Sequence, residues 1–118
     1  MLENIREVSI LYDFYGELLP EKQREIFRLY HEDNYSLAEI GADFGITRQG
    51  VHEAVKRSEE KLQTYENKLG LVKKFRDTEM ALATIDEAIQ GLIKKFSGNP
   101  ELTAQLQEMK SVIIKLNQ

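Results

Sequence analysis

The 118-residue sequence predicts an all-α protein of five or six helices. Two observations carry that prediction. Apolar residues recur at spacings of three and four along the chain, and no stretch alternates with period two for long, so strands are not expected. The periodic segments are also separated by Gly, Pro and capping residues, the signals that start and stop helices.

The first helix is expected over roughly residues 4 to 17. Ile5, Val8, Tyr12, Tyr15 and Leu19 form one stripe and Leu11, Phe14 and Leu18 widen it, an arc broad enough to be buried between neighbours. Pro20 suits the first turn of the second helix, whose inner face is Ile26, Phe27, Leu29 and Tyr30. His31-Glu32-Asp33-Asn34 reads as a hydrated polar loop that ends it.

Residues 36 to 62 read as a helix-turn-helix. Ser36 and Glu39 form a capping box, in which each side chain satisfies the other residue's orphan amide. Ile40 and Phe44 continue the buried stripe, Gly45 supplies a left-handed turn, Ile46 plugs the angle and Thr47 caps the second arm. Apolar residues at 37, 40, 44, 46, 51 and 55 would fix the angle between the arms, leaving Arg48, Gln49, His52, Glu53 and Lys56 on the outer side. A unit of this kind presents its second helix to a nucleic-acid groove.

That second helix is longer than groove reading requires. Val51, Val55, Ser58, Leu62, Tyr65 and Leu69 step by four and three as a heptad seam, and Gly70 is placed to end it. A second seam follows through Phe75, Thr78, Leu82, Ile85, Ile89, Leu92 and Phe96 in a helix over 71 to 96. Gly98 suits that helix's end, Asn99 the next cap and Pro100 the next first turn; Leu102, Leu106, Met109, Ile113 and Leu116 then line the last helix. The expected organisation is a helix-turn-helix domain over 1–70 and a C-terminal helical hairpin over 71–118, packed on it or mediating homo-oligomer contacts.

Composition excludes several function classes. With no cysteine there is no disulfide framework, thiol nucleophile or thiolate zinc site, and with two histidines no metal site is expected. His31 beside Glu32 and Asp33 lacks the spacing of a ligand set. The chain has no phosphate-cradling glycine loop, no strand-mounted nucleophile and no separated carboxylate pair, so neither catalysis nor a cofactor is expected. No apolar run approaches the roughly 20 residues of a membrane span. The N-terminal stretch lacks a basic-then-apolar leader pattern, and the cytoplasm is the expected compartment.

A formal charge of −4 weighs against a strong phosphate binder, because Lys and Arg contacts dominate such affinities. The imbalance sits in residues 1 to 70, at −5, whereas 71 to 118 carry +1. Residues 47 to 61 hold Arg48, Lys56, Arg57 and Lys61 against Glu53, Glu59 and Glu60. Arg48 suits guanine and Gln49 adenine, with Lys56 and Arg57 near passing phosphates; Glu53 opposes a backbone unless it meets a cytosine amine, and Gly50 leaves a central position without a side chain. The bland alternative is a solvated helix face or a protein-binding surface. Lys73-Lys74-Arg76 and Lys94-Lys95 are smaller basic clusters, the second explained by the negative helix C-terminus. Tyr12, Phe14 and Tyr15, like Phe27 and Tyr30, read as core and not as base-stacking groups.

Two family resemblances rest on these residues. Residues 18 to 62, from Leu-Leu-Pro-Glu-Lys-Gln-Arg-Glu-Ile-Phe-Arg-Leu-Tyr to Glu-Lys-Leu, resemble region 4 of bacterial sigma factors, which reads the promoter −35 element. By that resemblance Arg48, Gln49, His52 and Glu53 match base-contacting or phosphate-contacting positions, while Gly50 and His52 depart from its usual basic residues. Nearly the whole chain, through 11 to 23, 35 to 41 and 47 to 59, is similar to the YlxM family of small Gram-positive helix-turn-helix proteins. Leu19 departs from the Thr or Ser cap usual there. Genes of that family lie beside that of the signal recognition particle GTPase. The resemblance therefore implies a non-enzymatic accessory or regulatory factor of the targeting pathway that binds its RNA or its GTPase. A DNA-binding transcription regulator and a protein-interaction module without nucleic-acid contact remain the alternatives.

Overall fold

A computed structural model describes residues 5–117. Residue 4 and much of the stretch read for a leader lie outside them. The described residues form six α-helices and one 3-10 turn, with no strand. They are α1 (Ile5–Tyr15), α2 (Glu21–His31), α3 (Leu37–Phe44), α4 (Arg48–Leu69), α5 (Leu71–Lys95) and α6 (Pro100–Leu116), with the 3-10 turn at Gly16–Leu18. The chain divides between Val72 and Lys73 into two compact units.

In the first unit α1, α2 and α3 all pack on α4. Ile26, Ile40, Val51 and Val55 form one buried cluster, with Leu37, Phe44 and Ile46 packed against it. Val8, Leu11, Tyr15, Leu19, Phe27, Leu62 and Val72 form the other. Ser58 is also fully buried on α4, and its hydroxyl returns to the Ala54 carbonyl at 3.0 Å, so the position is small and internally satisfied.

Several boundaries differ from the sequence expectation. The α-helical part of α1 stops at Tyr15 and tightens into the 3-10 turn, which starts on Gly16, where a Cβ would stand 2.8 Å from the Tyr12 ring. Pro20 is the N-cap of α2 and not a first-turn residue, with extended ψ of 143°. The α5 helix ends at Lys95, and Gly98 has no left-handed φ; among glycines that role falls to Gly45 and Gly70. Asn99 does cap α6, accepting from the Leu102 N–H at 3.1 Å.

Burial is narrower than the apolar stripes suggest. Ile5, Phe14 and Leu18 are exposed on the first helical segment, as is Leu69 on α4. In the second unit Ile89, Leu106 and Ile113 are buried, flanked by Leu82, Ile93 and Leu102. Phe75, Ile85, Leu92, Phe96, Met109 and Leu116 stay exposed, and Thr78 with them. The α6 helix has 17 residues against the 25 of α5, too few to cover the whole of that longer seam. Lys110 adds a polar tie to α5, donating to Gln90 Oε1 at 2.8 Å and lying 3.4 Å from Asp86 Oδ1.

The end of α4 is held by a specific polar knot. Gly70 takes a left-handed φ of 63° and its N–H donates to the Glu66 carbonyl. The Tyr15 hydroxyl donates to Glu66 Oε1 at 2.6 Å and accepts the Leu71 N–H at 3.1 Å. Val72 N–H donates to the same Oε1 at 3.0 Å. The first free amides of α5 thus find acceptors on α1 and α4, and the carboxylate sits where a helix start favours negative charge.

Burial, then the bond to Glu66, raise the Tyr15 pKa above its ordinary value of 10.0. The neutral hydroxyl is the form the fold prefers, so its contribution is complete below pH 10 and declines as pH rises towards the folded-state value. Tyr15→Phe is expected to cost about 1 to 3 kcal/mol at pH 7, since it leaves the half-buried Glu66 carboxylate and the Leu71 amide without this partner. Its stability should also fall less between pH 9 and 11, in units of about 1 kcal/mol or less, than that of the parent. Urea unfolding at both ends of that range checks both.

Candidate nucleic-acid interface

The turn between α3 and α4 is built by four local devices. Ser36 Oγ accepts the Glu39 N–H at 3.0 Å while Glu39 Oε1 accepts the Ser36 N–H at 3.1 Å, completing the capping box. Gly45 is left-handed at φ 66°, and Thr47 Oγ1 accepts the Gly50 N–H at 2.9 Å. Gly41 is the fourth device, and its periodicity alone did not reveal it. A Cβ there would stand 2.7 Å from the Ile46 carbonyl oxygen, so only glycine lets the turn close on α3.

Gly50 is less constrained. A Cβ at 50 would come to 3.2 Å of Thr47 Oγ1, and Glu39, which stands at the same place in the cap of α3, carries a full side chain.

Arg48, Gln49, Glu53, Lys56 and Arg57 are exposed on α4. Gln49 Nε2 donates to Glu53 Oε1 at 3.1 Å, so these two are presented as a linked pair one turn apart. His52 departs from its expected outward position. It is half-buried, and its Nδ1 is enclosed without a hydrogen-bond partner. Together with Arg48, Gln49 and Leu37 of α3, His52 lines a shallow depression beside the start of α4.

Two polar residues are more enclosed than their chemistry suggests, His31 half-buried and Glu59 buried. His31 is the last residue of α2 and not part of a hydrated loop; its Nε2 lies 2.9 Å from Glu59 Oε1. Its ring packs at 4.4 Å from Phe27 and edge-on to Tyr30 at 5.1 Å. Glu59 is 3% exposed. A buried carboxylate needs a cationic or donor partner, and His31 supplies it from the neighbouring helix. The signal was present in sequence as Glu59 falling on the inner arc of α4 next to Ser58, once the helix is drawn on a 100° wheel.

This relocation alters the electrostatics of the presenting face. With Glu59 turned inward, four exposed cations, Arg48, Lys56, Arg57 and Lys61, face two exposed carboxylates, Glu53 and Glu60. Phe14 is exposed at 37%, which corrects its placement in the core, while Tyr15 and Phe27 are buried and Tyr12 stacks on Phe27 at 5.0 Å. Of the basic clusters on α5, Lys73 pairs with Asp77 at 2.9 Å and Lys95 lies 5.6 Å over the Phe96 ring. Among the described residues no group of three or more His, Cys, Asp or Glu could hold a metal ion, and no helix is long and apolar enough to cross a membrane.

Comparison with known proteins finds one family, described as "Putative helix-turn-helix protein, YlxM / p13 like" (UPF0122), matching residues 2–97. A UPF0122 protein of Thermoanaerobacter sp. (strain X514) is 42% identical over 110 residues, 93% of either chain. One of Caldanaerobacter subterraneus subsp. tengcongensis is 51% identical over 82 residues, 70% of either chain. One of Listeria monocytogenes serovar 1/2a is 35% identical over 112 residues, 95% of this chain and 99% of the relative.

Two substitutions test the frame that holds this face. Gly41→Ala forces a methyl group against the Ile46 carbonyl and is expected to cost about 1 to 3 kcal/mol by strain in the turn. Glu59→Ala removes one partner of a buried pair and opens a cavity beside His31, with an expected loss of about 2 to 4 kcal/mol. Denaturant midpoints at pH 7 measure both; a change under 0.5 kcal/mol, the range of an ordinary surface substitution, would contradict either assignment.

Proposed function

The chain belongs to the UPF0122 family of YlxM/p13-like helix-turn-helix proteins, and on that premise we propose that it is a non-enzymatic accessory factor of the signal recognition particle pathway. It acts in the cytoplasm and meets the particle's RNA with the face carrying Arg48, Gln49, His52, Glu53, Lys56 and Arg57. The observation that carries this reading is the exposed face of α4, where Arg48, Lys56 and Arg57 stand against the single carboxylate of Glu53, beside a depression lined by Arg48, Gln49 and His52.

The choice of RNA follows from charge and shape. A duplex DNA reader commonly neutralises six or more phosphates, about twice what this face offers. RNA recognition relies more on unstacked bases held by planar and hydrogen-bonding side chains, for which Arg48, Gln49 and His52 are suited. Glu53 accepts from Gln49 but keeps its charge, so its place is opposite a base amine and not a phosphate. The likeness to sigma region 4 favours promoter DNA instead, but Gly50 has no side chain and His52 is half-buried, so neither supplies the basic residue that region has there.

Fluorescence anisotropy with the particle's RNA, across a salt series, tests the proposal. The logarithm of affinity should fall with the logarithm of salt at a slope of about −2 to −3, as for three to four phosphates. Lys56→Ala should reduce that slope by about 1, and Arg48→Ala should weaken binding about tenfold. No binding at low salt would refute the proposal; a preferred duplex sequence that survives competitor DNA would replace it with transcription regulation.

A further inference from the structure

Beside the stripes with which α5 and α6 face each other, each helix of the second unit carries another. On α5 it runs through Thr78, Ala81, Ile85, Ala88 and Leu92, and on α6 through Gln105, Met109, Val112 and Leu116, all of them exposed. Both step by three and four, the spacing of a helix that meets a further helix. At about 100° per residue, each stripe lies about 90° round its helix from the inward residues, Ile89 on α5 and Leu106 and Ile113 on α6, and in the same rotational sense. Because the two helices run antiparallel, equal rotation brings both stripes to one side of the hairpin. The opposite side is polar, with Glu79 and Lys94 of α5 and Gln107 and Ser111 of α6.

We infer that the apolar side joins a second copy of this chain in a two-fold four-helix bundle. Two stripes on one side need two helices opposite, and the hairpin itself is such a pair. A copy turned about an axis parallel to the helices sets its α6 antiparallel on α5, at the level fixed by the Lys110–Asp86 pair within each hairpin. Its Leu116, Val112 and Met109 then fall between the successive rungs Thr78, Ala81, Ile85 and Ala88, large side chains against small. Gln105, Glu108, Met109 and Val112 line a shallow concavity at i, i+3, i+4 and i+7, the four corners that receive one side chain of a facing helix, and Ala88 of the copy comes level with it. The same turn brings Lys95, on the rim of α5, level with Glu101 on the rim of the copy's α6, opposite charges at the edge of the apolar strip. The core of the hairpin is small, with Ile89, Leu106 and Ile113 buried, so it needs a permanent cover, which a copy supplies and a passing partner does not. None of these residues belongs to the RNA face, so the dimer and that reading can fail separately.

Sedimentation equilibrium of the full chain should show a dimer at about 100 µM. Ile85→Glu, at an exposed position, should keep the helical circular dichroism and weaken the dimer about a hundredfold, while Ser111→Glu on the polar side should leave it unchanged. The chain has no cysteine, so added thiols report the geometry. Lys95→Cys and Glu101→Cys chains, mixed and oxidised together, should cross-link unlike chains in preference to like ones. A monomer at that concentration, the result if the first unit or a different protein occupies this side, would overturn the inference. So would a dimer that Ile85→Glu leaves intact, or a preference for cross-links between like chains.

Discussion

Everything in the first unit depends on one helix serving two purposes. The 22 residues of α4 span about 33 Å, and along that length one arc is sealed while the opposite arc is open. Val51, Val55, Ser58 and Leu62 have no exposed surface, and three other helices close over them. Arg48, Gln49, Lys56 and Arg57 stand on the far side of the same backbone. Protein interiors are packed too densely to absorb a shift of an ångström, so the core residues fix the presenting residues as rigidly as they fix each other.

The polar groups of α4 divide the same way. Glu59 and Glu66 lie seven residues apart on one stripe, each aimed at a different neighbour: Glu59 at His31 of α2, Glu66 at Tyr15 of α1 and the first amides of α5. Such buried contacts add little net stability over an apolar pair of the same shape, yet removing one partner is costly. They act as geometric keys. An apolar seam tolerates a slip of register more readily than a carboxylate that must find one hydroxyl or one imidazole.

Local signals were the legible part of the sequence. Ser36 with Glu39, Gly45, Thr47, Gly70 and Asn99 with Pro100 are devices acting within a few residues, and each stands in the structure where its chemistry requires. What depends on distant contacts was not legible. His31 reads as a loop residue until Glu59, 28 positions away, is brought to it. Gly41 is an exception on the local side: the Ile46 carbonyl that requires it lies five residues on, yet residue type alone did not single it out. Apolar periodicity also overstates burial, because Phe75, Ile85 and Leu92 repeat as regularly as Ile89 while only Ile89 is covered. For the candidate site, residue type and spacing gave Arg48, Gln49 and Lys56 their outward positions; His52 is half-buried and shares a depression with Leu37 of α3, a neighbour that spacing on α4 alone does not contain.

The central claim is that the outer arc of α4, near its N-terminus, meets nucleic acid. Ultraviolet cross-linking of the full chain to the particle's RNA, with peptide mapping of the adducts, tests it most directly. Adducts should fall within residues 47 to 57 and disappear as salt is raised. Adducts confined to residues 73 to 117, or none at low salt, would contradict it.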